Sequence, residues 1–296
     1  ATGKEFAFRI TRDNPPEMQF YSPFGDAEIG IFSGSDGVFE TSEANKIVSQ
    51  SEVLEHIGYN VTADATQFYY VTSSLPILMT KNSGNNSGAN SDYTLVPPVS
   101  KEILWHGGGM YITETDVSQT VANQSSVYHY SDKPFSIHAS GDGDGTDAEM
   151  GMPIEMLGDT YVVPHPIADY RIVAVESTNV DVYYYNGGNK VEYARYVLSG
   201  SKTTPQIITV GDDGGSDSDL ATSVSWIFEG TAPFYLRTND QPGANEYAVL
   251  GYRRQESPVY QNSTTIDGDK IRTGKIKSNN WTDGGTLGSE IDLDDG

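Results

Sequence analysis

Cysteine is absent from this chain. A disulfide framework, thiolate metal ligation and a cysteine nucleophile are thereby excluded, while the compartment stays open. Long hydrophobic runs are missing too. The longest, Leu75 to Met79, falls far short of the ~20 apolar residues that span a bilayer, so no membrane insertion is expected. The opening residues Ala1-Thr2-Gly3-Lys4-Glu5 hold no apolar segment of the secretory kind. Positive charge is scarce, with 18 Lys and Arg against 41 Asp and Glu. A net charge of −23 repels phosphate backbones and anionic headgroups, which argues against nucleic acid as a partner.

What the chain has in quantity is aromatic and turn chemistry: 19 Tyr, 10 Phe and 31 Gly. Alternating stretches end in Gly, Asn, Asp and Ser clusters, the pattern of strands joined by turns. Strands are expected at Phe6–Ile10, Gln67–Thr72, Ile77–Thr80, Ser126–Tyr130, Phe135–Ala139, Tyr161–Val163 and Tyr170–Glu176. Further strands are expected at Val180–Tyr185, Val191–Val197, Gln206–Val210, Ser223–Phe228, Phe234–Thr238 and Glu246–Tyr252. One helix is expected over Glu43–Ile57, capped by Ser42, with Ile47, Val48, Leu54 and Ile57 as its apolar stripe. A short helical turn is expected near Asp147–Met150, ended by Gly151 and Pro153. The class is all-β, with a β-sandwich-like body.

Aligning three prolines exposes a repeat. Phe68-Tyr69-Tyr70-Val71 precedes Pro76-Ile77-Leu78-Met79-Thr80-Lys81-Asn82. Val127-Tyr128-His129-Tyr130 precedes Pro134-Phe135-Ser136-Ile137-His138-Ala139-Ser140, and Trp226-Ile227-Phe228 precedes Pro233-Phe234-Tyr235-Leu236-Arg237-Thr238-Asn239. Each reads as a hairpin whose second strand starts at proline, where no ladder bond is lost. A fourth hairpin turns at Asn186-Gly187-Gly188-Asn189. Duplicated sandwich modules, divided at about 1–130 and 131–260, are one expected source of the pattern, and convergent hairpin chemistry is the alternative. The hydrophobic alternation stops near Ser257–Gln261, giving a β-rich body over 1–260 and a separate segment over 261–296.

Motifs that carry chemistry are thin. Trp105-His106-Gly107-Gly108-Gly109 echoes an oxyanion loop, but no G-x-S-x-G elbow accompanies it. Gly200-Ser201-Lys202-Thr203 lacks the spacing of a phosphate loop. The five histidines show no zinc spacing, although His129 and His138 are placed to face each other across a hairpin. The best ion-binding candidate is Asp142, Asp144, Asp147 and Glu149 on a glycine-rich loop, a carboxylate set suited to Ca²⁺. An acidic turn in an acidic protein is the plainer alternative. Trp105, Tyr111 and Tyr183–Tyr185 are candidate sugar platforms, with sheet packing as the alternative. No catalytic residue is assigned, and no enzyme activity is expected.

The richest segment is the last. Ile266, Ile271 and Ile276 fall five apart with Gly268 and Gly274 between them, a rhythm of short extended pieces and tight turns. Three isolated isoleucines make no core in one chain, so copies packed about an axis would bury them. Thr264, Ile266, Asp267, Gly268, Ile271, Thr273, Gly274 and Ile276 fill every fixed position of a T-x-I-D-G-x-x-I-x-T-G-x-I run. This segment resembles the one found in tail-fibre and other virion structural proteins of tailed bacteriophages. With Ser278-Asn279-Asn280-Trp281 and then Asp292-Leu293-Asp294-Asp295-Gly296, it resembles the form in virion structural proteins of marine phages infecting cyanobacteria. The resemblance implies a virion protein, tail-associated or fibre, assembled in the host cytoplasm and released by lysis. It further implies a homotrimer through Ile266, Ile271 and Ile276, other virion proteins as partners, and host attachment through a surface glycan. A capsid-surface fibre or decoration protein is the near alternative. A carbohydrate-binding or carbohydrate-active β-sandwich is the alternative of another class.

Overall fold

The computed structural model describes residues 2–10, 17–34, 41–50, 52–58, 67–82, 93–106, 110–116, 119–139, 150–163, 169–211, 224–239, 251, 275–277 and 290–292. The chain divides into two compact units, Ala1–Arg254 and Gln255–Gly296. The described structure is all-β, with antiparallel sheets throughout the first unit.

The first sheet holds seven strands: β1 (Gly3–Ile10), β2 (Glu17–Tyr21), β3 (Ala27–Gly34), β4 (Thr41–Val48), β5 (Val53–Ile57), β6 (Gln67–Asn82) and β7 (Tyr93–Leu95). Its organiser is β6. The half before Pro76 lies between β1 and β3, and β3 carries β4 at the edge. The half after Pro76 lies between β2 and β7, and β2 carries β5. A strand that leaves one sheet and joins another through a bend closes a corner, and its inward residues serve one core. Phe6, Phe8, Met18, Phe20, Ile29, Ile31, Tyr69, Val71, Ile77 and Met79 form that core. The proline sits in the bend, outside the paired register, where its missing N–H costs no ladder bond.

The third sheet repeats this plan with β13 (Gly158–Val163), β14 (Asp169–Ala174), β15 (Ser177–Asn186), β16 (Asn189–Ser199), β17 (Gln206–Val210) and β18 (Trp226–Asn239). Before Pro233, β18 lies between β13 and β15, and β15 carries β16; after it, β18 pairs β14, which carries β17. The correspondence reaches details. A bulge follows Ile31 in the β3–β4 pairing and Val182 in the β15–β16 pairing, opposite Ala44 and Ala194. At the bend, the Glu28 N–H donates to the Ser74 hydroxyl, and at the matching place the Asn179 N–H donates to Thr231, both at 2.9 Å. The β15–β16 hairpin turns at Gly187 and Gly188, whose φ values of 57° and 84° fit a turn that only glycine adopts without strain.

Between them lies a reduced sheet: β8 (Ser100–Leu104), β9 (Met110–Glu114), β10 (Ala122–Asn123), β11 (Tyr128–Ala139) and β12 (Met152–Pro153). Here β11 is the bent strand. Before Pro134 it pairs β8 and β10, and after it β9. The residue after each proline pairs with the start of the module's first strand: Ile77 with Gly3, Phe135 with Ser100, Phe234 with Gly158. The return segments also match. Thr80 pairs Leu95 where His138 bridges Met150, and the N–H groups of Val96 and Gly151 donate to Met79 and Ile137. A smaller core of Ile103, Trp105, Phe135 and Ile137 fills this module.

Three expectations are corrected. Glu43–Ile57 is not helical: β4 and β5 occupy it, with a turn in which the Glu52 N–H donates to Ser49. The supposed stripe alternates across sheet faces, for Val48 is 1% exposed while Ile47 and Ile57 are 65% and 67% exposed. The three proline hairpins are single bent strands. His129 and His138 therefore share one strand, and do not face each other across a hairpin. The only helical turn among the described residues is 3₁₀, at Ile154–Met156, just after Pro153. Residues 147–149 and 246–250, where a turn and most of a strand were expected, lie outside the described residues. Residues 130 and 131, the dividing point of a two-module body, both lie within β11.

In the second unit, β19 (Lys275–Lys277) and β20 (Glu290–Asp292) form an antiparallel pair. Ile276 stands opposite Ile291, Lys275 opposite Asp292 and Lys277 opposite Glu290.

Candidate functional site

The chemistry of this molecule concentrates where modules meet. Each junction places the outer face of one module's first strand, and of the half-strand before its proline, against the next module's second strand and the half-strand after its proline. Alternation dictates the participants, since residues one and three after each proline face their own core and residues two and four face outward.

At the junction of second and third modules, Leu104, Val127, Tyr128, Met152 and Leu157 pack with Val173, Val175 and Tyr235. Arg171 and Arg237 are cross-strand neighbours, and each directs a guanidinium at His106 Nδ1, at 3.5 and 3.3 Å. Arg237 is 0% exposed, the largest fully buried side chain described. Burial first, and then the two guanidinium charges, push the His106 imidazole down to about 4, so it is neutral at pH 7 and Nδ1 accepts. Nearby, Lys202 donates to the Glu102 carboxylate, lies over the Tyr128 ring, and Tyr128 donates its hydroxyl to Glu102. Burial raises Glu102, but these two hydrogen bonds and the Lys202 charge outweigh it and hold the carboxyl below its usual range. The Gly200-Ser201-Lys202-Thr203 turn is thus a clasp between modules. Gly200 lies so near the Ala174 carbonyl that a Cβ would stand 2.0 Å from its oxygen.

At the junction of first and second modules, β1 packs on β9 and β11. Ala7, Thr113 and Ser136 are buried there. Arg9 occupies the place of His106, and His138 the place of Arg237, so one junction inverts the other's basic pair. Burial, then the charges of Lys81 and Arg9, hold His138 well below the usual histidine range. Burial alone brings Lys81 down to about 8, and its ammonium lies 5.4 Å from the Phe8 ring. Tyr70 repeats the Tyr128 arrangement: burial first, then its hydrogen bond to Glu5, drives the phenol above its usual range.

Other expected residues fall elsewhere. Trp105 is 3% exposed in the second module's core, so it offers no sugar platform. Lys190 covers Tyr183, Tyr184 packs against Trp226, and Tyr185 is on the surface. His129 is fully buried where the other modules carry Val71 and Phe228; burial pushes it down, and neither ring nitrogen has a hydrogen-bond partner among the described residues. Asp142, Asp144, Asp147, Glu149, Ile266 and Ile271 lie outside the described residues. Among those described, no three His, Asp or Glu side chains group as metal ligands.

An open groove on the first module is lined by Glu28, Gly30, Phe32, Asn45, Thr72 and Ser74. In the third module the counterparts of Gly30 and Asn45 are Asp181 and Arg195, which form an ion pair. The junction residues escaped the sequence reading because they lie in different modules. Counting from the prolines would have found them: Tyr70 and Tyr128 stand six before, and His138 and Arg237 four after. No protein-family model matches the chain, and no curated protein sequence matches it.

Proposed function

We propose that this chain is a structural protein of a tailed-phage particle, tail-associated or part of a fibre, that acts by non-covalent assembly. The observation that carries this is the run from Thr264 to Ile276, with its regular isoleucines and glycines. The body supports it. Three modules on one plan, joined through buried side chains, suit a protein whose work is to hold a shape. In this reading the segment over 261–296 multimerises through Ile266, Ile271 and Ile276, most simply about a three-fold axis that closes the assembly. Each isoleucine buried between copies contributes roughly 1.5–3 kcal/mol.

The groove beside Phe32 favours a second role, attachment to a surface glycan, because it joins an aromatic ring to hydroxyl, amide and carboxylate groups. Immunogold electron microscopy on purified particles of the encoding phage tests the first reading. Label on the tail supports it, label over the capsid moves the protein to the decoration alternative, and absence from the particles removes it. Light scattering of the intact protein should give a trimer that Ile271→Asp weakens. A trimer that persists undiminished after deletion of residues 261–296 would remove the stalk.

A further inference from the structure

The first module exposes a sheet face that its two sisters bury. Two and four residues after the proline, Ser136 and His138 are 3% and 4% exposed, and Tyr235 and Arg237 are 0%. Their counterparts Leu78 and Thr80 remain half-buried. On the neighbouring strand, Thr113 and Val173 are 0% exposed, whereas Tyr21 is half-buried. One strand further out, Val53 and Ile57 are 59% and 67% exposed.

Both internal junctions show what covers such a face. It is the outer side of another module's first strand, with Ala7 or Leu104 at its centre, each 0% exposed. In the third module the centre of that same surface is open, although Thr160 beside it is 1% exposed. Val162, 43% exposed, pairs with Ile227 as Leu104 pairs with Tyr128. One chain therefore carries both halves of a third junction that it does not make internally. Where the second junction buries Arg237 fully and Arg171 in part, the open face has Thr80 and Gln19, so covering it buries no charge at these two positions.

We propose that the open face of the first module docks on the open face of the third module in a second copy of this chain, head to tail. Val162 and Ile227 then meet Tyr21 and Leu78, as Leu104 and Tyr128 meet Val173 and Tyr235. The contact is heterologous, so copies close into a ring or extend into a row. It is independent of the isoleucines after residue 261.

The lack of cysteine makes the test direct. Leu78→Cys and Val162→Cys are introduced into separate chains, both carrying Ile271→Asp so that tail assembly does not contribute. The two are mixed and treated with a short bis-maleimide. The expected product is a 78–162 linked dimer, at least fivefold more abundant than 78–78 or 162–162. Adding Ile227→Asp to the Val162→Cys chain should cut the yield at least fivefold with the circular dichroism of the sheets unchanged. Equal yields for all three pairings, a dominant 78–78 product, or no product at high micromolar concentration would overturn head-to-tail docking. If Leu78→Cys fails to fold, Thr80→Cys carries the same test.

Discussion

The two internal junctions share a geometry and differ in chemistry. That between second and third modules is an apolar seam, Leu104 and Tyr128 on Val173 and Tyr235, with Arg171 and Arg237 about a neutral His106 and an acid, Glu102, set against Lys202 at its border. That between first and second modules has Ala7 against Thr113 and Ser136, and sets Arg9, Lys81 and His138 close enough to repel. A fold can thus fix how modules sit together while leaving the strength of each contact to a few outward residues. The second seam should be the stiff one and the first the soft one.

Truncating the stiff seam should have the largest effect. Leu104 is fully buried, and Leu104→Ala should cost roughly 2–4 kcal/mol in urea unfolding. Ala7, its counterpart, has little side chain to lose. If Leu104→Ala costs less than 1 kcal/mol, the second seam is not an energetic contact and the contrast fails.

Next comes Lys81, an ammonium buried beside Phe8. Its pKa is about 8 in the fold against 10.5 unfolded, so between these values the unfolded chain holds more protons. Stability from this group therefore rises with pH across that window, and the full penalty applies at pH 7. Lys81→Met should stabilise by about 1–3 kcal/mol at pH 7, with the gain shrinking by pH 10. A gain that ignores pH would assign it to packing rather than to charge.

Much of the fold was legible. The alternating stretches around Gln206–Val210 and the Asn186-Gly187-Gly188-Asn189 turn read correctly because local pattern and tertiary role agree there. Glu43–Ile57 misled because Val48 and Leu54 face inward from two strands, and their spacing imitates a helical stripe that only β3 and β2 can dissolve by pairing. The prolines misled in another way. Pro76 does break the ladder, as expected, but a bend between sheets breaks it as well as a hairpin does. Counting from the prolines gives the junction positions but not their pairings, since Arg9 and His138, or His106 and Arg237, become neighbours only when modules stack.

A smaller effect sits on His106. Its pKa is about 4 folded and 6.5 unfolded, so as pH falls through this window the unfolded chain gains a proton that the fold refuses between Arg171 and Arg237. Stability should fall from pH 6.5 to 4 by about 1–2 kcal/mol on this account, a figure discounted for partial solvent exposure. His106→Gln should flatten that part of the pH profile. An unchanged slope would place the acid sensitivity elsewhere, with His138 first in line.

The smallest effect sharpens the soft seam. Thr113 is fully buried, and its hydroxyl has no hydrogen-bond partner among the described residues. A buried hydroxyl left without a partner costs about 1–3 kcal/mol relative to an apolar group of equal shape. The matching position in the third module is Val173, an isostere of threonine that packs in the apolar seam. Thr113→Val writes the stiff seam's residue into the soft one at constant volume. It should stabilise by about 1 kcal/mol, read as a shift of the urea midpoint with the slope unchanged. The reverse change, Val173→Thr, should cost a similar amount or more, because the hydroxyl would enter a seam lined by Leu104 and Tyr235. If Thr113→Val destabilises instead, the hydroxyl has a partner in the native protein, and the first junction is held by hydrogen bonding rather than tolerated despite its polarity.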